Sequence, residues 1–259
     1  MIRVGIINIM PKVEAYEPLL VAPLARAGQP VELVWIRLET HRYHSSDRAR
    51  LEREYVTWSE AGALDGLVVT GAPVEELAFA DVAYWPELAR ILDIARSRVR
   101  STLGLCWGGL ALAHMLGIPK LRYPQKLFGV YEHRRLVGDD HPLVGDQAAR
   151  FPCAHSRHAG IADWELQIAE ADGRVRLLGH APETGYALFE TPDHRYVAHL
   201  GHPEYVADRL VYEYRRDLAL GRTDVPTPHG FDPDRDETRW ADHRNALFAR
   251  WVALLGNRE

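Results

Sequence analysis

The segment Thr102-Leu103-Gly104-Leu105-Cys106-Trp107-Gly108-Gly109 is the most informative part of this 259-residue chain. A short apolar strand leads into a cysteine that has glycines close on both sides, and a helix-forming run, Gly108 to Leu116, follows. This is a Gly-x-Cys-x-Gly form of the tight turn that presents a nucleophile between a strand and a helix. Small neighbours are needed in such a turn because bulky side chains would clash with it. The segment therefore predicts a strand-to-helix turn with Cys106 at its tip.

Cys106 is a candidate nucleophile for an electrostatic reason. A helix N-terminus beneath the sulfur favours the thiolate, and nearby backbone N–H groups can stabilise an oxyanion. The alternative is a buried apolar cysteine beside Trp107, since free cysteine is among the most buried residue types. Cys153 follows Pro152 and has no glycine neighbours, and we interpret it as a structural thiol.

Strand-like and helical segments alternate around this turn, which indicates a parallel sheet with right-handed crossovers. Strands are predicted at Arg3–Met10, Val31–Leu38, Asp65–Thr70, Tyr186–Glu190 and Tyr196–Leu200. Helices are predicted at Glu17–Ala27, Trp85–Ser97, Pro203–Leu220 and Trp240–Leu255. We expect one α/β domain spanning residues 1–259, in which the segment from about residue 221 wraps the core.

Composition excludes several classes of protein. Hydrophobic residues make up 47% of the chain and charged residues 26%, which is typical of a globular protein. The formal net charge of −5 gives no basic surface for binding nucleic acid. We expect no membrane span, because no apolar run approaches the roughly 18–20 residues that one needs. Two cysteines cannot form a disulfide framework, and the N-terminus does not resemble a signal peptide, so the expected location is the cytoplasm.

His202-Pro203-Glu204, directly after a predicted strand, supplies a base and a group to orient it. The fixed φ of Pro203 stiffens the link, so the carboxylate can fold back onto the imidazole. The alternative is a helix start, with proline at the first helical position and an acidic first turn. His199 is the other candidate for the base, but the alternation of side chains along the strand favours a position for His199 in the wall of the site.

The cysteine turn and His-Pro-Glu together resemble the class I glutamine amidotransferase-like superfamily, and further segments narrow the resemblance. The chain resembles the homoserine O-acyltransferase family, which includes homoserine O-succinyltransferase, along nearly its whole length. The segments that carry this resemblance are INIMPK (7–12), DGLVVTGAPVE (65–75), FADVAYW (79–85), LCWGG (105–109), GIPK (117–120), KLFGVYEH (126–133), AHSR (154–157) and GHPEY with EYRRD (201–217). The resemblance implies a flavodoxin-like three-layer α/β sandwich with a mostly parallel sheet.

The resemblance also implies roles for individual residues. Cys106 forms an acyl-enzyme from acyl-CoA, His202 acts as the base and Glu204 orients the ring. Lys126 matches an active-site lysine, and Ser156 and Arg216 match positions that bind the amino-acid substrate. Without the resemblance, these three would be interpreted as a surface charge, a loop serine and a helix-surface ion pair.

The resemblance bears on both substrates. Glu75 implies acetyl-CoA as co-substrate, because members with glutamate there tend to use acetyl-CoA, those with glycine tend to use succinyl-CoA, and a carboxylate in the acyl pocket repels a succinyl carboxylate. The alternative is a homoserine O-succinyltransferase, with succinyl-CoA as co-substrate. Val13 stands where the family has a second lysine, Leu110 stands where it has glutamine, and Thr40–Ser46 matches its counterpart only in part. These departures leave homoserine, serine or a related hydroxy amino acid as the acceptor. Serine is one methylene shorter than homoserine, and a methylene is worth only about 1–3 kcal/mol of discrimination.

Two other functions use the same residues. A glutamine amidotransferase-like amidase would need the glutamine that Leu110 replaces, and a ligand-binding module without catalysis would not need a complete triad. The spacing of the thirteen histidines predicts no metal site, and we expect no bound cofactor. The resemblance implies a homodimer.

Overall fold

The computed structural model describes residues 1–145, 147–234 and 237–257. The strands in these residues are β1 (Ile2–Ile7), β2 (Val31–Ile36), β3 (Gly66–Val69), β4 (Ser101–Leu105), β5 (Leu121–Arg135), β6 (Arg150–Gly160), β7 (Arg176–Ala181), β8 (Gly185–Glu190) and β9 (Tyr196–His199). The α-helices are α1 (Val13–Ala25), α2 (Arg48–Glu54), α3 (Trp85–Arg98), α4 (Trp107–Met115), α5 (Asp163–Ala171), α6 (Ala207–Ala219) and α7 (Ala241–Gly256). A short 3₁₀ helix spans Phe79–Asp81.

All of these strands join one sheet, in the order β2-β1-β3-β4-β9-β8-β7-β5-β6. The first five are parallel, and they carry Cys106 at the carboxyl end of β4. The remaining pairings are antiparallel and include the long hairpin of β5 and β6. The prediction of a parallel sheet is therefore correct for the half of the sheet that bears the cysteine turn. The antiparallel strands of the other half make the sheet as a whole mixed.

Helices cover both faces of the sheet, which confirms the predicted three-layer sandwich. Apolar side chains of α3, α4 and α5 pack on one face, and those of α1, α6 and α7 pack on the other. Strands β3 and β4 are buried along their whole length, as expected for parallel strands covered on both sides. The carboxyl ends of the parallel strands therefore form a shared edge at which loops can build a site.

Two predicted helices begin at the wrong residue. Helix α1 begins at Val13 rather than Glu17, and α6 begins at Ala207 rather than Pro203. Tertiary hydrogen bonds explain the second difference, because the His202 N–H donates to Ala154 O (2.7 Å) and so ties the His-Pro-Glu segment to β6. The alternative interpretation of Pro203 as the first residue of a helix is therefore wrong.

The segment after residue 221 runs beside β5. The His229 N–H donates to Phe128 O (2.9 Å), and the Val130 N–H donates to His229 O (2.8 Å). Gly129, with φ 136°, lies under this contact, and a Cβ there would come within 2.2 Å of His229 O. The segment thus lies against the middle of β5, close to Lys126. Within the described residues, no helix has the length and apolar character that crossing a membrane requires.

Candidate active site

Cys106 lies at a strained turn between β4 and α4. Its φ of 50° and ψ of −111° fall outside the regions that side chains favour. A Cβ on Gly108 would lie 2.2 Å from Val69 O, and one on Gly104 would lie 2.5 Å from Gly108 O. The glycines around the cysteine are therefore needed because backbone passes directly against them, as the sequence predicted.

The surroundings of Cys106 suit a nucleophile. The cysteine is buried, and it is the N-cap of α4, where the first helical N–H groups lack acceptors within the helix. The next loop along the sheet also comes close, since a Cβ on Gly71 would lie 3.4 Å from Cys106 Cβ and 3.3 Å from His202 Cε1. Unpaired N–H groups at a helix start can stabilise both a thiolate and an oxyanion.

His202 and Glu204 form a buried pair directly after β9. His202 Nδ1 lies 2.6 Å from Glu204 Oε1, and both side chains are fully enclosed. The imidazole also stacks on Tyr205, with ring centroids 4.0 Å apart. The ring is therefore held from two sides, with Nε2 left for a partner.

Cys106 and Glu204 together change the basicity of His202. Burial alone lowers the pKa of His202, but the charges of Cys106 and Glu204, and hydrogen bonds to both, raise that pKa well above its ordinary value. A raised pKa favours the imidazolium, which is the form that accompanies a thiolate. The structure thus brings the three predicted triad residues into one interacting group.

Tyr16, in α1, is a further contact of this group that sequence reasoning missed. Its hydroxyl donates to Glu204 Oε1 at 2.5 Å, so one carboxylate oxygen accepts from both Tyr16 and His202. Burial raises the pKa of Tyr16 well above its usual value, and the charge of Glu204 raises it further. Tyr16 is 188 positions away from Glu204, so no local pattern could have linked them.

A cavity of about 110 Å³ opens over Cys106. Six of the seven predicted site residues line it, and Glu204 lies behind His202. The lining residues are Met10, Pro11, Ala72, Pro73, Glu75, Glu76, Cys106, Lys126, Ser156, His158, His202, Tyr205, Glu213, Arg216, Asp217 and Arg222. Both signs of charge are therefore present around the sulfur.

Lys126 and Ser156 meet two acidic residues of α6. Lys126 Nζ lies 2.6 Å from Asp217 Oδ2 and 4.0 Å from Glu213 Oε2, and the Ser156 hydroxyl donates to Glu213. All four side chains are buried. The interpretation of Lys126 as a solvated surface charge and of Ser156 as an ordinary loop serine is therefore wrong.

Glu213 is the centre of this polar network, although the sequence assigned it no role. Its Oε1 accepts from the Tyr205 hydroxyl (2.8 Å) and from Arg209 Nη2 (3.2 Å). Burial alone raises the pKa of Glu213, but the charges of Lys126 and Arg209 lower it to about 2. The carboxylate is therefore ionised at neutral pH. The only available signal was its place in the quoted EYRRD segment.

Arg216 and Glu75 lie at the rim of the same cavity. Arg216 is partly exposed, and its Nε and Nη2 both donate to Asp217 Oδ1 (2.8 and 2.6 Å). Glu75 is largely buried, and its Oε1 lies 3.4 Å from the His158 backbone N–H. Arg216 therefore forms an ion pair, with Asp217, as expected for the surface of a helix, but this ion pair faces the cavity.

Two of the unusual residues noted in the sequence are buried away from the cavity. Leu110, in α4, packs into the core, and Val13 packs against Leu51 and Tyr55 under α2. Neither residue lines the space over Cys106. The position where an amidase would have its glutamine is therefore apolar and inaccessible to a substrate here.

Cys153, His199 and His243 form a buried group whose ligand atoms all lie within 4.8 Å of one another. Sequence spacing could not reveal it, because the three residues come from β6, β9 and α7. The Gly201 N–H donates to His199 Nδ1 (3.0 Å), so the neutral ring has its proton on Nε2 and donates to His243 Nε2 (3.1 Å). These hydrogen bonds engage both ring nitrogens of His199 and Nε2 of His243. His199 thus lies in the wall, as predicted.

Comparison with characterised sequences identifies relatives along the whole chain. The sequence model of the homoserine O-succinyltransferase family matches residues 1–258. Proteins named homoserine O-acetyltransferase are also similar: the one from Bacillus subtilis is 35% identical over 96% of this chain and 84% of its own length. The one from Desulfovibrio desulfuricans is 36% identical over 97% of this chain and 81% of its own length.

Solved structures share the fold at low sequence identity. A glutamine amidotransferase from Thermotoga maritima aligns with a TM-score of 0.62 at 13% identity, covering 99% of both chains. The glutaminase domain of the Trypanosoma brucei protein CTPS aligns with a TM-score of 0.61 at 10% identity, covering 100% of this chain and 95% of that one. The fold is thus that of the class I glutamine amidotransferases. Because the model of the homoserine O-succinyltransferase family matches residues 1–258, this chain belongs to that family.

Proposed function

We propose that this protein transfers an acyl group from acyl-CoA to the side-chain hydroxyl of homoserine, through an acyl-enzyme on Cys106. The observation that carries the proposal is the buried group of Cys106, His202 and Glu204 at the floor of a cavity with charges of both signs. Membership of the family, together with relatives named homoserine O-acetyltransferase, supports acyl transfer to homoserine.

The first half-reaction transfers the acyl group to sulfur. His202 takes the thiol proton, the Cys106 thiolate attacks the thioester carbonyl, and the N–H groups at the start of α4 stabilise the oxyanion. Collapse of the tetrahedral adduct breaks the bond to the CoA sulfur, which leaves with the proton held by His202. Glu204 keeps the imidazole oriented and stabilises its charged form.

The second half-reaction reverses these roles. After CoA departs, His202 takes the proton of the acceptor hydroxyl, the oxygen attacks the acyl carbonyl, and the Cys106 sulfur leaves as a thiolate. An amino-acid acceptor has an ammonium and a carboxylate group, and the cavity offers both complementary charges. Arg216 uses Nε and Nη2 on Asp217, and its Nη1, which has no hydrogen bond within the described residues, would bind the α-carboxylate.

A thiol-release assay tests this proposal. The pure protein is incubated with acetyl-CoA or succinyl-CoA, each with homoserine or serine, and free CoA thiol is followed. We expect fastest release with acetyl-CoA and homoserine, and an acyl adduct on Cys106 by mass spectrometry when the acceptor is omitted. Ammonia release from glutamine without thiol release would instead indicate the amidase, and the absence of both products would indicate a binding module.

Replacement of Glu75 by glycine is expected to shift donor preference toward succinyl-CoA. The buried carboxylate repels a second carboxylate in the acyl pocket, so its removal should raise the succinyl-to-acetyl ratio of kcat/KM by about 10-fold or more. Glu75→Gln, which removes the charge but keeps the size, separates repulsion from steric exclusion. An unchanged ratio in both variants would remove Glu75 from the choice of donor.

Replacement of Tyr16 by phenylalanine is expected to lower kcat by roughly 3- to 30-fold, because Glu204 loses a charge-assisted hydrogen bond. With one donor fewer, Glu204 should hold the imidazolium of His202 more strongly, so the alkaline limb of the kcat/KM profile for the acyl donor should move to higher pH. Tyr212→Phe, on the exposed face of α6, is the matched control. A lower kcat with an unmoved alkaline limb of kcat/KM would show that Tyr16 is only structural.

Three further expectations accompany this function. We propose that the chain acts as one domain, works in the cytoplasm and forms a homodimer. Sedimentation of the purified protein would measure its oligomeric state directly.

A further inference from the structure

A second cavity, of about 450 Å³, lies at the carboxyl end of β2. We call it the arginine cavity. Its lining residues are Arg37, Leu38, Glu39, His41, Arg42, Tyr43, His44, Arg48, Leu51 and Glu52. All of them belong to the loop after β2 or to α2. The cavity is therefore separate from the space over Cys106, and it belongs to a segment whose sequence only partly matches its family counterpart.

Two arginines of this cavity form no ion pair within the described part of the chain, although the charge of the Glu60 carboxylate acts on Arg37. Arg37 Nε is buried and has no hydrogen-bond partner in the described part of the chain. Arg42 is exposed and forms no ion pair within the described ranges. Arg48, by contrast, pairs with Glu52 at 2.9 Å. A buried guanidinium nitrogen without an acceptor is costly, so an acceptor from a ligand would be favourable.

The acidic groups around the cavity are largely occupied. Glu52 is paired with Arg48, and Glu87 of α3 accepts hydrogen bonds from Glu39 N, Thr40 N and Thr40 Oγ1. The Glu39 side chain is exposed at the rim. His41 adds no positive charge at neutral pH, because burial, followed by the charge of His44, lowers its pKa to about 4. Among the lining residues, Arg37, Arg42 and Arg48 therefore outnumber Glu39 and Glu52, while Glu87 beside the cavity keeps a negative charge that acts on His41.

The arginine cavity adjoins the catalytic cavity through the start of α1. Ser45 Oγ accepts from the Lys12 N–H (3.1 Å), and Ser46 Oγ accepts from the Val13 N–H (3.2 Å). Met10 and Pro11, immediately before them, line the space over Cys106. A flexible ligand could thus place one end at the sulfur and the other end among the arginines.

We propose that the arginine cavity binds the phosphate groups at the nucleotide end of the acyl-CoA donor. This inference rests on the proposed function, since acyl-CoA combines a thioester with a long flexible arm and a multiply phosphorylated nucleotide. Guanidinium groups bind phosphate oxygens through paired, charge-assisted hydrogen bonds. Arg37 and Arg42 supply those donors, and the thioester end extends past Met10 to Cys106.

Donor kinetics test the proposal. The variants are Arg37→Gln, Arg42→Gln and their combination, with Arg53→Gln, which is exposed on α2 and paired with Glu54, as the charge-matched control. Each is assayed with acetyl-CoA and with acetyl-pantetheine, which has the thioester but no phosphate. We expect the KM for acetyl-CoA to rise about 10-fold in each single variant, and more in the double variant, because each loses a charge-assisted hydrogen bond. The kcat/KM for acetyl-pantetheine should stay at the parent value.

A binding measurement keeps this inference distinguishable from the function itself. Calorimetry with adenosine 3′,5′-bisphosphate should show binding to the parent and to Arg53→Gln, with affinity at least 10-fold lower in the double variant. The same loss of binding in a protein that shows no acyl transfer would overturn the proposed function, but it would support the arginine cavity as a nucleotide site. Absence of binding by the parent, equal affinity in all variants, or equal losses with both donors would overturn the arginine cavity as the phosphate site.

Discussion

Replacement of Cys106 by alanine is expected to reduce acyl transfer by about 10³- to 10⁶-fold, as in other enzymes that lose their nucleophile. The reason is that, among the described residues, no other thiol lines the cavity, and His202 cannot form the acyl intermediate in place of the sulfur. Stopped assays of thiol release, and mass spectrometry of the protein after exposure to acyl-CoA, measure rate and adduct separately. We expect no adduct on the variant.

Cys153→Ala is the matched control for this variant. Burial, followed by the charge of Glu204, raises the pKa of the Cys153 thiol well above its usual value, so this thiol is unreactive at neutral pH. We expect the control to keep the adduct on Cys106 and most of the parent rate. Turnover by Cys106→Ala at the parent rate would refute the acyl-enzyme.

Replacement of Glu213 by glutamine is expected to lower the free energy of unfolding by about 3–5 kcal/mol at pH 7, because it breaks a buried ion-pair network from one side. Arg209, which pairs with Glu213, and Ser156, which donates to it, would both lose the carboxylate. Urea unfolding with an unchanged m-value measures the loss. Glu132→Gln, on an exposed position of β5, controls for the substitution and should change stability by less than about 0.5 kcal/mol.

The pH dependence of stability gives Glu213 a second signature. Its folded pKa of about 2 lies below the ordinary value of about 4.3 for a glutamate, so the folded state binds this proton less readily than the unfolded state. The resulting stabilisation is complete above about pH 4.3 and is lost as the pH falls toward 2. Glu213→Gln should therefore lose less stability than the parent across that window. Equal losses would contradict the ionised, charge-stabilised state of Glu213.

The local sequence was sufficient for features built from neighbouring residues. The cysteine turn could be predicted because Gly104 and Gly108 are small where backbone passes within about 3 Å, and their spacing around Cys106 is visible in one segment. His202 and Glu204 could be paired because a single proline separates them. The parallel half of the sheet followed from short apolar runs that alternate with helices.

Contacts between distant segments were beyond the reach of such patterns. Tyr16 reaches Glu204 across 188 positions, and Lys126 reaches Asp217 across 91, because packing of α1, β5 and α6 around the carboxyl ends of the strands brings them together. The β5–β6 hairpin was not predicted, although it positions Lys126 and Ser156. A side chain's burial and its ionisation depend on every group within a few ångströms, and most of those groups come from elsewhere in the chain. Residue types and short spacings thus specified the nucleophile and its base, whereas the charge network around them exists only in the folded chain.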